Sequence, residues 1–109
     1  MTKEIEEYIG KYPEDIVRLF MQIRDAALST AGIPVEEKLW AKLPSYYCNE
    51  KFVRIIPFKD HINIEAEGFA GHKSEFEGFR FMPKGMLQIR IDQVIRTDAL
   101  KAVFTDTFM

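Results

Sequence analysis

Two hydrophobic periods divide the chain. Ile5, Tyr8, Ile9 and Tyr12 recur at helical spacing and predict a short first helix. Ile16, Val17, Phe20, Ile23 and Ala27 make a longer apolar stripe, which predicts a second helix over 13–31. Pro13 suits its first position, where a missing N–H costs nothing, and Gly32 and Pro34 stop it. Glu7 and Lys11, then Glu14 and Arg18, set opposite charges one turn apart on the polar faces.

From Lys38 the period falls to two. Leu39, Ala41 and Leu43 alternate with Trp40 and Lys42, which predicts a strand ending in a Leu43-Pro44 corner. Asn49-Glu50-Lys51 reads as a hairpin turn before a strand over 52–58, and Lys59-Asp60 turns the chain again. Ile62, Ile64 and Ala66 then alternate with His61, Asn63 and Glu65. Residues 68–85 are rich in turn formers, with a short helix over 74–79 that would pin Phe76 and Phe79 onto the core. A last strand over 86–91 presents Leu87, Ile89 and Ile91 on one face. Thr97 is placed to cap a final helix over 98–107, with Leu100, Val103 and Phe104 inward.

Hairpin-length connections make the strands antiparallel, and helices segregated to the two ends imply a single α+β domain over 1–109. It is a two-layer sandwich whose mostly antiparallel sheet is packed on one face by the N- and C-terminal helices. With Leu39, Val53, Ile62 and Leu87 facing the helices, alternation puts a different set on the other face. That set is Trp40, Lys42, Arg54, Phe58, His61, Asn63, Glu65, Gln88 and Arg90.

A length of 109 residues with 47% hydrophobic content is enough for an independent core and argues against disorder. Fifteen basic against seventeen acidic residues leave a net charge of −2, which argues against nucleic acid or an anionic membrane as the main partner. Cys48 is alone, so no internal disulfide forms, and an unpaired thiol fits a reducing compartment. The opening segment is acidic without an apolar signal core, and the expected location is cytoplasmic.

No nucleophile–base pair, phosphate loop or metal box stands in the sequence, so no catalytic residue is assigned and an enzyme is not expected. His61 and His72 stand apart with no motif linking them to Cys48, which argues against a tight zinc site, and His61 reads as a partly exposed turn residue. The acidic pairs Glu4/Glu7 and Glu65/Glu67 read as solvated faces. The candidate ligand site is therefore the open sheet face and its corner: Trp40, Pro44, Tyr46, Arg54, Phe58, His61 and Arg90. Arg54 and Arg90 would offer charge to a small anionic ligand or a partner carboxylate. As a surface group, Arg54 should be removable within ~0.5 kcal/mol of stability. The competing arrangement tucks Trp40 under the 68–85 loop, with Phe58 and Phe79 completing a satellite core.

Several of these segments recur together in a known order: the Tyr8-Ile9 helix, the helix at Pro13, and Trp40 with Leu43-Pro44-Ser45-Tyr46. They are followed by the His61-Ile62 strand and Lys84-Gly85-Met86-Leu87-Gln88-Ile89. In this the chain resembles the YdhG-like bacterial family, catalogued as domain of unknown function 1801, across nearly its whole length. The resemblance implies a frataxin-like sandwich and, from one branch of the family, an iron chaperone. The expected function is thus a small binding or chaperone-type protein, with iron binding and delivery as the implied role. The alternatives are a homodimeric interaction module, a small-ligand-binding protein without catalysis, or an uncharacterised enzyme.

Overall fold

The computed structural model describes residues 1–30 and 32–109, and its elements follow the two hydrophobic periods. Helix α1 spans Lys3–Ile9 and begins where the Thr2 hydroxyl accepts the Ile5 N–H at 3.3 Å. It ends before Lys11 and Tyr12, so the expected Glu7–Lys11 pairing does not lie on one helix. Helix α2 spans Glu14–Leu28, with Pro13 at the cap position and Glu14 and Asp15 in the first turn. The expected helix over 13–31 is thus shorter, and its last position, Ala31, lies outside the described residues. Helix α3 spans Thr97–Phe108; Thr97 is its first residue and not its cap, a position taken by Arg96 without a side-chain bond.

Six strands form one sheet: β1 (Glu36–Trp40), β2 (Leu43–Cys48), β3 (Lys51–Pro57), β4 (His61–Ala66), β5 (Arg80–Phe81) and β6 (Leu87–Arg90). Their order is β1-β2-β3-β4-β6-β5 and every pairing is antiparallel. Helices α2 and α3 pack against each other and against β3 and β4, while α1 meets β1. This is an α+β architecture with the terminal helices on one side of the sheet. No helix among the described residues is long and apolar enough to cross a membrane.

The core lies between these layers. Val53, Ile55, Ile62, Ile64, Leu87 and Ile89 point down from the sheet and meet Ile16, Phe20, Ile23, Leu100, Val103 and Phe104 from the helices. Each is essentially inaccessible, which is worth roughly 1.5–3 kcal/mol per large side chain relative to exposure. The 74–79 helix expected between β4 and β5 is instead two 3-10 turns, Glu67–Gly71 and Lys73–Phe76, leading into β5. Their aromatics meet edge-on, Phe69 to Phe76 at 5.5 Å and Phe76 to Phe79 at 6.1 Å between ring centroids. This cluster packs on the α3 side, so the two 3-10 turns belong to the helical layer and the chain rejoins the sheet at β5.

The chain reverses between β1 and β2 at Ala41 and Lys42, which hold φ of 50° and 65°. Two consecutive residues at positive φ make the tight two-residue hairpin whose twist suits paired strands. Trp40 therefore pairs with Leu43, and Leu39 with Pro44. This corrects the expected strand alternation: Ala41 and Lys42 are the turn, and Leu43 shares the face of Trp40 rather than that of Leu39.

Candidate functional site

That turn decides which of the expected site residues come together. Tyr46 pairs with Val53 on the helix-facing side and is fully buried, and Pro44 is buried opposite Leu39 on the same side. Neither joins Trp40, and the expected Trp40–Pro44–Tyr46 corner does not exist. The Tyr46 hydroxyl instead donates to Glu37 Oε2 at 2.9 Å. Arg24 of α2 reaches the same carboxylate through Nε and through Nη2 at 3.2 Å, and the Thr2 N–H donates to it at 3.0 Å. Burial alone would raise the Glu37 carboxyl, but Arg24, Tyr46 and the Thr2 N–H together hold it below the usual carboxylate range. Tyr46 is pushed up by its burial and then by the charge it faces. These groups lock α1, α2 and β1 together and have structural work to do.

The opposite face carries the other candidates. Arg54 pairs with Ser45 on one side and Glu65 on the other, so its side chain rises from the sheet away from the helices. It does not stand free in solvent: only 9% of the residue is exposed. The guanidinium carbon lies 4.0 Å from the centroid of the Trp40 ring and 3.8 Å from that of Phe52. A planar cation between two aromatic faces gains quadrupole attraction and is shielded from water. Its Nη1 pairs with Glu65 Oε1 at 3.3 Å, and its Nη2 donates to the Tyr47 hydroxyl at 3.1 Å. Tyr47 packs on Phe52 at 6.1 Å, and the Lys38 ammonium sits 4.7 Å above the Tyr47 ring. Ser45, between Lys38 and Arg54 in register, is fully buried, so this layer covers the sheet beneath it.

The expectation of a free surface arginine at position 54 is thereby corrected, since both faces and two edge nitrogens are engaged. The alternative of Trp40 buried beneath the 68–85 loop is also excluded. Trp40 is 50% exposed, and the aromatics of that loop pack under α3. Phe58, 42% exposed, stacks on His61 with centroids 4.5 Å apart and rings 11° from parallel. His61 and Arg90 are cross-strand partners, and both reach Asp60, at 2.7 Å and 3.5 Å. The His61 bond, with Arg90 assisting, holds the exposed Asp60 carboxyl below its ordinary value. Between the two clusters, Ile56, Asn63 and Gln88 share one row of the face.

Five of the seven expected site residues thus lie on the open face: Trp40 and Arg54 in one cluster, Phe58, His61 and Arg90 in the other. Lys38, Tyr47 and Phe52 complete the first cluster and escaped the sequence reading. Their signal was present, because Tyr47 and Phe52 flank the Asn49 turn at positions that pair in a two-residue hairpin.

Two buried side-chain polar atoms among the described residues lack a partner, and both are here: Arg54 Nε and Asn63 Oδ1. A buried donor or acceptor left unmade costs about 1–3 kcal/mol, and such groups are rare in native structures. Carboxylates elsewhere are dispersed. Glu65 is committed to Arg54, Glu67 meets Lys51 at 3.4 Å, and Glu4 and Glu7 line a shallow depression with Tyr8, Lys11, Leu39 and Lys42. Among the described residues, no three His, Cys, Asp or Glu side chains converge as metal ligands would. Cys48 is buried and unpaired.

No family model, curated protein or solved structure matches this chain.

Proposed function

We propose that this protein is a non-catalytic binding module that docks a macromolecular partner on its helix-free sheet face. The observation that carries the reading is the Trp40–Arg54–Phe52 stack, a rigid aromatic and cationic platform held by Glu65 and Tyr47. Tryptophan, tyrosine and arginine are the residue types that dominate binding energy at protein interfaces. Around them Leu43, Ile56 and Phe58 present apolar surface, while Glu36, Lys38, His61 and Arg90 supply a polar margin. Beside the platform, Glu50, Lys51, Phe52, Glu65 and Glu67 line a half-open depression of about 310 Å³, where Lys51 pairs with Glu67. Trp40 and Phe58, each about half exposed at separate points of this face, spread the apolar surface over more than one small-molecule site and suit a protein partner. A second copy of the chain is the first partner to test.

Sedimentation velocity over a concentration series tests it. Association of the wild-type chain that disappears in Trp40→Ala supports the reading. A wild-type monomer at every concentration, with benzoate or acetate shifting the Arg54 side-chain NMR signal, would replace it with the small-anion reading. Anaerobic calorimetry with ferrous iron separately tests the iron-handling role that rests on the family resemblance. Saturable heat there, with no self-association, would put that role first.

A further inference from the structure

A second arrangement of charged groups lies far from the sheet face, where the 67–81 segment meets α3. His72 stands between the two 3-10 turns, with Glu75 at its Nδ1 and Asp106 Oδ2 at its Nε2. Its side chain is only 18% exposed. Both ring nitrogens thus face carboxylate oxygens, and ionised carboxylates only accept hydrogen bonds. A neutral imidazole has one N–H and must turn a lone pair on the second carboxylate. Only the imidazolium donates to both at once. The two carboxylates lie on opposite sides of the ring, so they bracket the histidine and do not form a metal site.

The contacts around this bridge all join the same two elements. The Gly68 N–H donates to Thr107 Oγ1 at 2.9 Å, and the Thr107 hydroxyl donates in turn to the Val103 carbonyl at 2.8 Å. Gly68 approaches α3 so closely that a Cβ there would lie 2.3 Å from the Val103 oxygen. At the start of α3, Arg96 Nη1 donates to the Glu75 carbonyl at 3.1 Å. Lys73 turns away over Phe81, leaving Glu75 and Asp106 as the charges that act on the ring. Beneath lie Phe69 and Phe76, both buried, so the segment is a cover over part of the core.

We infer that His72 is a protonation-controlled strap, which fixes the 67–81 segment to α3 as an imidazolium and loosens it when neutral. The strap is independent of the sheet-face proposal, because it shares no residue with it. Its direction agrees with the electrostatics: the bonds to Asp106 and then Glu75 raise the His72 value above the ordinary 6.5. A raised value means that docking is favoured at low pH and weakens as pH rises through it.

NMR of the His72 ring, combined with amide hydrogen exchange from about pH 5.5 to about pH 8.5, spans the ordinary histidine range and tests this. The reporting amides are His72, Glu75 and Phe79, which donate to Phe69, His72 and Phe76. Their protection factors should fall as His72 loses its proton, by about tenfold for each unit by which docking raises its titration. Amides of β3 and β4 should hold theirs. In Asp106→Asn the ring should titrate lower and the loss of protection should move with it. His72→Gln should exchange at the loose level at every pH. If that variant does not fold, Asp106→Asn alone decides. A wild-type His72 that titrates at or below the ordinary value, or reporting amides that ignore its titration, would overturn the strap.

Discussion

The helix-covered and open sides of the sheet each hold one largely buried arginine paired with one glutamate, and the two pairs differ in how fully they are satisfied. Arg24 and Glu37 share two hydrogen bonds, and Glu37 gains Tyr46 and the Thr2 N–H besides. Arg54 and Glu65 share one contact, the cation is flanked by Trp40 and Phe52, and Arg54 Nε has no partner. The inner pair is closed chemistry that holds elements in place. The outer pair organises an aromatic surface on which Trp40 is still half exposed. An interior must satisfy its charges on folding, whereas a binding surface can leave some of that to its partner.

The largest expected effect lies on the inner side. Glu37→Ala leaves Arg24 charged and without its partner, and should cost about 3 kcal/mol, the scale for breaking a buried ion pair. Urea unfolding followed by circular dichroism measures it, and a cost no larger than that at Arg54 would erase the contrast between the two faces.

Arg54→Ala should come next, at about 1–2 kcal/mol, because two ring contacts and a partly screened ion pair are lost together. Arg54→Met keeps the aliphatic stem against the rings and should recover part of that loss. Equal stability of the alanine variant and wild type would mean that the stack does not hold Arg54 in solution.

The pH dependence separates the sheet's inner pair from the His72 bridge. Glu37 has its folded value lowered, so its stabilisation is present above the ordinary 4.5 and is lost as pH falls through the folded value. His72 has its folded value raised, so its contribution is full below 6.5 and is lost as pH rises through the folded value. Unfolding midpoints should therefore decline on both sides of an interval between the two. Glu37→Gln should flatten the acid limb and His72→Gln the alkaline one. Limbs that survive their own substitution would assign the dependence elsewhere.

The smallest stability change is expected at Phe58, whose ring is 42% exposed: Phe58→Ser should stay within ~0.5 kcal/mol, as at other surface positions. Differential scanning calorimetry checks it, and a larger loss would mean that the Phe58–His61 stack belongs to the fold and not to the free surface.

Much of the architecture was legible because burial repeats with the period of the element that carries it. The stripe from Ile16 to Ala27 and the alternation from Val53 to Ala66 could each satisfy one geometry only, so helix, strand and antiparallel pairing followed. That alternation, and the one over 86–91, correctly sent Arg54, His61 and Arg90 away from the helices. The 67–81 segment was less legible, since its phenylalanines bury themselves through 3-10 turns too short to leave a period.

The chain by itself therefore determined the α+β class, the inward rows of the long strands and the charge balance. Tertiary structure decided the rest, beginning with the β1–β2 turn. Ala41 and Lys42 are poor residues for positive φ, and a two-residue turn inside an alternating run leaves the run looking unbroken. Only strand pairing could impose that turn, and it moved Pro44 and Tyr46 to the core while bringing Leu43 beside Trp40. The Arg54 stack, the Glu37 network and the His72 bridge arise in the same way. Each joins side chains from strands or helices distant in sequence, and no local pattern encodes the distance between them.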